Sequence, residues 1–168
     1  VPVKGLEYFI KSAEIVYKKN NNVLFIIAGP EISSQKRYSK KIRSMLLNKQ
    51  YIKYIGMCND IPQLLANSDV FICSSLSEAG PITVYEAMSM KVPVIISKTS
   101  GFWDYTKFSN EENIVFIDEN TTKDWVKKID YLISNQNLRN NISESAFKTI
   151  EKDYTLEKFY SSFKEILF

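Results

Sequence analysis

The sequence predicts an α/β domain built on a doubly wound parallel sheet. Three observations predict it. Short apolar runs alternate with longer stretches of helical periodicity along the chain. The runs are apolar on consecutive residues, as in strands covered on both faces. Each early run passes within a few residues into a helix, the arrangement that joins parallel strands by right-handed crossovers. A length of 168 residues fits one domain over 1–168.

The elements follow in order. Leu6, Phe9, Ile10, Ala13, Ile15, Val16 and Tyr17 recur at helical spacing and stop at Asn20-Asn21-Asn22. Val23 to Gly29 is a continuous apolar run, read as a strand buried on both faces and ended by Gly29-Pro30. A second helix is expected from about Ser34 to Asn48, and a short strand from Tyr51 to Ile55 that ends at Gly56. Asp60 is placed to cap a short helix containing Ile61, Leu64 and Leu65. Val70 to Ser74 reads as a buried strand, and Pro81 to Met90 as a helix with proline in its first turn, where the missing N–H costs nothing. Val92 to Ser97 and Ile114 to Asp118 are the remaining strands. The pattern is then helical from Thr121, through Trp125, Ile129, Leu132 and Ile133, with further helices over Leu138–Tyr154 and Leu156–Phe168. Thr121 or Thr122, and Thr155, suit N-caps. The chain opens at Val1-Pro2-Val3-Lys4-Gly5 with no Met and a helix almost at once, and so reads as a piece of a longer protein taken up just after its first strand.

Composition narrows the chemistry. The formal charge is +3, from 22 basic and 19 acidic residues. That permits anionic ligands but lacks the dense basic stripe of a nucleic-acid binder. Lys36, Arg37, Lys40, Lys41 and Arg43 cluster, and read either as a solvated helix face or as a surface for anionic lipid. With no histidine in the chain, a His-based zinc site or His catalysis from these residues is excluded. Cys58 and Cys73 have no partner at metal-ligand spacing and read as reduced thiols of a cytosolic protein. No apolar run approaches the ~18 residues of a membrane span, and no signal peptide opens the chain.

Ligands of such sheets sit outside the carboxyl ends of the strands. The loops after Gly29, Gly56, Ser74 and Ser97 are therefore the places to look for chemistry. The richest is Ser74-Ser75-Leu76-Ser77-Glu78-Ala79-Gly80-Pro81-Ile82-Thr83-Val84-Tyr85-Glu86-Ala87-Met88. Gly80 allows close approach of backbone to a ligand. The Ile82 and Thr83 amides, first in the helix, have no intrahelical acceptors and point with the helix dipole at an anion. A diphosphate fits that socket without a metal. Glu78 is either a solvated loop acid favouring the helix terminus or a holder of sugar hydroxyls. Glu86 either lies on the outer helix face or sits inward among Val84, Ala87 and Met88, where the hydroxyl pair of a ribose would satisfy it.

These residues resemble the C-terminal domain of a group 1 glycosyltransferase, the retaining family four with the two-domain GT-B fold. The family pattern is Glu, seven residues, Glu, then Ala-Met; here it runs Glu78 to Glu86, Ala87, Met88 and on through Ser89-Met90-Lys91-Val92-Pro93-Val94-Ile95. The family's usual Gly before Pro-Val is replaced in Met90-Lys91-Val92, and its Glu-Gly-Phe-Gly opening becomes Glu78-Ala79-Gly80-Pro81, a variant associated with polysaccharide assembly. Lys4-Gly5, the Val23–Gly29 strand, Tyr54-Ile55-Gly56, Asp60-Ile61-Pro62, Ala66 to Phe71, Ser97 to Gly101 and Glu112 to Val115 match other family segments in the same order.

The resemblance implies a Rossmann-like donor-binding half of a GT-B enzyme, with extra C-terminal helices and an N-terminal acceptor domain absent from this piece. Lys4 would contact the donor diphosphate and stabilise the leaving group, unless it is only a solvated terminal lysine. Glu78 would orient the transferred sugar, and Glu86 would bind the ribose. Gly80, Pro81, Ile82 and Thr83 would form the phosphate turn, and Ile55, Gly56, Met57 and Cys58 would line the nucleobase pocket. No metal and no other cofactor is implied. The partners would be a sugar nucleotide and a glycan or lipid-linked acceptor, with no nucleic acid, at a cytoplasmic site, either free or at the inner face of the membrane. The isolated piece is expected to be inactive in transfer. Three alternatives stay open: a non-catalytic nucleotide-sugar-binding or regulatory module of the same fold, a GT-B epimerase, and a flavodoxin-like or response-regulator domain.

Overall fold

Five short strands, every pairing parallel, form the centre of the computed structural model, which describes residues 2–30, 36–78, 80–98, 107–158 and 161. A 3-10 turn, Pro2–Lys4, leads into α1 (Leu6–Lys19), β1 (Phe25–Ala28), α2 (Lys36–Leu46), β2 (Ile52–Gly56), α3 (Ile61–Ala66), β3 (Phe71–Cys73), α4 (Ile82–Ser89), β4 (Val94–Ser97), β5 (Val115–Ile117), α5 (Thr122–Ile133) and α6 (Gln136–Asp153). The expected caps form. Asp60 accepts from the Gln63 amide at 2.9 Å, Thr121 from that of Asp124 at 3.2 Å, and Thr155 from that of Lys158 at 3.3 Å. Each satisfies an N–H that the first helical turn leaves without a partner.

The strands β3-β4-β5 make one ladder, with Ile95 of β4 opposite Ile72 of β3 and Val115 of β5. All four residues of β4 are buried. Its side chains alternate between two helix layers, as the pleat requires. Ile95, with Val115 and Ile117, joins Phe9, Ile10, Trp125, Ile129 and Leu132 of α1 and α5. Val94 and Ile96, with Phe116, join Val84, Ala87, Met88 and Ala146 of α4 and α6. Helices on both faces of a parallel sheet are the doubly wound arrangement.

Two expectations are corrected. The parallel sheet is split: β1 and β2 form a second ladder with no hydrogen-bonded pairing to the first among the described residues. Helix α1 spans the seam. The Phe9 ring meets Phe25 of β1 edge-on at 5.7 Å, while Gly5 abuts Ser74 at the end of β3. The apolar run of β1 is also not buried on both faces. Phe25 and Ile52 are buried beneath α1 and α2, but Leu24 (51%), Ile26 (39%) and Ile55 (43%) are exposed. Among the described residues, helices cover one side of this ladder, and the other side carries these exposed residues. Of the expected final helix, Leu156 is exposed, and residues 159, 160 and 162–168 lie outside the described residues, as do 31–35 before α2 and the Ser97 turn from 99 to 106.

Candidate functional site

Both ladders present their carboxyl ends on one side of the molecule. Helix α1 begins at the end of β3 and runs back to the start of β1, so the two strands point the same way. On the β1–β2 ladder the strand ends are tied together. The Gly29 amide donates to the Gly56 carbonyl at 2.7 Å, and the Tyr54 hydroxyl to the Gly29 carbonyl at 3.0 Å.

At the end of β3 the chain is held more tightly. Ser74 and Ser75 are buried. The Ser74 hydroxyl donates to the Lys4 carbonyl at 2.8 Å, and the Leu76 amide to the Val3 carbonyl at 2.6 Å. Residues 3–5 are therefore laid along residues 74–76. Gly5 makes this approach possible. It adopts φ +63, and a Cβ there would sit 1.9 Å from the Ser74 carbonyl oxygen. Its own carbonyl accepts the Tyr8 and Phe9 amides at 3.0 and 3.2 Å and so starts α1.

Pinned in this way, Lys4 reaches across the loop. Its Nζ donates to Glu78 Oε1 at 2.6 Å, and the two side chains remain 47% and 21% exposed. Partial burial alone would raise the Glu78 carboxyl. Hydrogen bonds from Lys4 and Ser75, with the lysine's charge, outweigh burial and hold it below the ordinary range. Glu78 is therefore an anion at neutral pH. An ion pair this exposed contributes about 0–1 kcal/mol to stability. What it supplies is a cation and an anion fixed side by side at the strand ends.

Helix α4 begins three residues after Ala79, which lies outside the described residues. Gly80 has φ +137, in the region that favours glycine. Pro81 is the buried N-cap, and its carbonyl receives the Val84 amide at 2.9 Å. The Ile82 and Thr83 amides precede that first bond and stand at an exposed helix mouth. Lys4, Glu78, Gly80, Pro81, Ile82 and Thr83 thus occupy one end of the fold.

Glu86 does not take the inward position. Helix α4 buries Val84, Ala87 and Met88, and Glu86 falls on the exposed side, three and four residues from Thr83 and Ile82. Ile55, Gly56, Met57 and Cys58 lie at the end of β2, on the other ladder, with Met57 68% exposed. Both cysteines are free thiols, and burial pushes that of Cys73 up. Sequence reasoning missed Gly5, Ser74 and Ser75 as builders of the site. The available signal was small: a glycine directly before an apolar helix, and two serines where a buried strand ends.

Comparison with known families decides what this arrangement belongs to. The family described as Glycosyl transferases group 1 matches residues 1–149. The chain belongs to this family.

Within the group 1 glycosyltransferases, the chain is 28% identical over 143 residues to the Campylobacter jejuni N,N'-diacetylbacillosaminyl-diphospho-undecaprenol alpha-1,3-N-acetylgalactosaminyltransferase, covering 85% of this chain and 36% of that protein. It spans less than half the length of the curated relatives it matches. Among solved structures, the C-terminal domain of a group 1 family protein (LpcC) from Francisella tularensis superposes with a TM-score of 0.78 at 26% identity, covering 93% of this chain and 82% of that one. A Staphylococcus aureus TarM structure in complex with Fondaparinux, alpha-GlcNAc-glycerol and UDP gives a TM-score of 0.81 at 25% identity, over 96% of this chain and 33% of that one. The group 1 likeness therefore carries the expected α/β architecture as well as the sequence pattern. Lys4-Gly5 and Glu78 to Glu86 both fall inside the matched residues.

Proposed function

We propose that the chain is the donor-binding half of a retaining glycosyltransferase of bacterial envelope or polysaccharide synthesis. The observation that carries this reading is the Lys4–Glu78 pair, 2.6 Å apart, with Glu78 on the loop that opens α4. The donor is a sugar linked to a nucleoside diphosphate. Its phosphates meet the Ile82 and Thr83 amides and the Lys4 ammonium, a set of fixed positive charge that needs no metal ion. As the bond between the sugar's anomeric carbon and the phosphate oxygen breaks, negative charge grows on the leaving diphosphate. Lys4 stabilises that charge where it develops. Glu78 accepts hydrogen bonds from the transferred sugar's hydroxyls.

Glu86 accepts from the ribose hydroxyls. Its exposure suits a carboxylate that a ligand must reach. Ile55, Gly56, Met57 and Cys58 line the base pocket from the β2 end. The acceptor, a glycan or a lipid-linked sugar, is held by an N-terminal domain that this chain does not contain, at the cytoplasmic side.

A thermal-shift panel of nucleoside diphosphates and sugar nucleotides tests the reading, since a ligand of the folded state raises its melting temperature. One nucleotide class is expected to stabilise the chain, and Glu86→Ala to weaken that effect. Sugar transfer by the 168-residue chain alone is expected to be absent, because transfer requires donor and acceptor to be positioned together. Robust turnover would place the acceptor site within these residues instead.

A further inference from the structure

The charge of this chain is unevenly spread. Residues 36–58 hold seven of the 22 lysines and arginines and none of the 19 acids, while the remainder of the chain is net negative. Five of the seven lie on α2. Tyr38 and Ile42 bury one side of that helix. Lys36, Lys40 and Arg43 recur at helical spacing on the opposite side, flanked by Arg37, and all four are exposed. Leu47, four residues beyond Arg43, extends the same stripe just past the helix end and is 69% exposed. Lys41, on the flank of the helix, pairs with Glu7 at 2.6 Å, and Lys49 with Glu14 at 2.6 Å.

We infer that the outer face of α2 docks the chain on an anionic lipid surface. A row of basic side chains on a helix anchored by its apolar side, with an exposed leucine at one end, is the pattern of a helix lying against headgroups. No helix among the described residues is long and apolar enough to cross a membrane, so the contact is with the surface. The stripe from Lys36 to Leu47 is about 17 Å long at about 1.5 Å per residue. Its Lys36 end follows β1 and therefore stands at the same end of the fold as Lys4 and Glu78, while Leu47 stands at the other. Headgroup contact along α2 brings the strand ends close to the membrane plane. This extends the donor-half reading by saying how the site meets an acceptor carried on a lipid, the kind of substrate named for the Campylobacter jejuni relative.

The test is sedimentation of the chain with vesicles of equal phosphatidylglycerol and phosphatidylethanolamine, against vesicles of phosphatidylcholine alone. Binding to the anionic vesicles is expected, weakening as salt is raised. Each basic residue at such a surface strengthens partitioning by about fivefold, so the triple variant K36E/R37E/K40E is expected to lose about a hundredfold. The charge-matched variant K123E/K127E/K148E, on exposed sites of α5 and α6, is expected to bind more tightly than that triple variant by at least tenfold. Leu47→Ser is expected to weaken binding without any change of charge. Equal losses in the two triple variants, no binding at all, or retention on single-stranded RNA in place of vesicles would overturn the inference. The nucleotide-induced thermal shift is measured on the same α2 variant. Its persistence there separates loss of docking from failure of the donor pocket.

Discussion

Lys4 and Glu78 are 74 residues apart in the chain, yet Lys4 Nζ lies 2.6 Å from Glu78 Oε1. Backbone contacts set up this proximity before the side chains complete it. The Val3 and Lys4 carbonyls are taken by Leu76 and Ser74, and Gly5 lies flush against Ser74. The site is therefore a property of the seam between the start of the chain and the loop after β3.

Gly5 is the residue that seam tolerates least. Gly5→Ala adds a Cβ 1.9 Å from the Ser74 carbonyl oxygen, at φ +63. Backbone on both sides must move, and the cost is expected to be about 2–4 kcal/mol. Chemical denaturation measures it as a lower midpoint with an unchanged slope. Nucleotide affinity should fall with stability, because Lys4 moves away from Glu78.

Lys4→Met keeps most of the side-chain bulk and removes the charge. In a transferase of the proposed function it is expected to lower kcat by about 100-fold or more, the scale of losing one charge-stabilising group at a developing anion. Steady-state kinetics should show a smaller change in KM. An unchanged kcat would confine Lys4 to holding Glu78.

Glu78 also couples to pH. Its folded carboxyl titrates below the ordinary value of 4.5. The pair is therefore fully stabilising above about pH 4.5, and its contribution is lost as pH falls through the lower folded value. Glu14, held down by Lys49 and Lys18, and Glu111, held down by Lys128, act in the same direction. The informative quantity is the difference between wild type and Glu78→Gln. That difference should be below about 1 kcal/mol at neutral pH, given the pair's exposure, and should vanish in acid. Melting temperatures measured from pH 7 down to pH 3 test it.

Glu86→Ala should leave stability unchanged within about 0.5 kcal/mol, since the side chain is exposed on α4. Nucleotide affinity should fall about tenfold, the worth of a charge-assisted hydrogen bond. Chemical denaturation of the variant against wild type measures the first, and calorimetric titration with nucleotide the second.

Much of this was legible in the sequence, for reasons tied to particular residues. Asp60, Thr121 and Thr155 cap the helices they precede because capping is local. The strand β4 is buried as its apolar run predicts, because helices cover both faces of its ladder. The run in β1 has the same composition, but Ile26 is exposed. Composition does not report whether a neighbouring helix or strand is present. The orientation of Glu86 depends on where α4 begins, and one helical residue turns a side chain by about 100°. The close approach of Gly5 to Ser74 is a tertiary contact that no periodicity encodes.

Isothermal titration of the chain with the nucleoside diphosphate that stabilises it most, in the presence of a metal chelator, tests the central claim most directly. Saturable binding that survives chelation and weakens in both Lys4→Met and Glu86→Ala is the predicted result. Absence of binding by any nucleoside diphosphate, or binding indifferent to both substitutions, would contradict a phosphate socket at the mouth of α4.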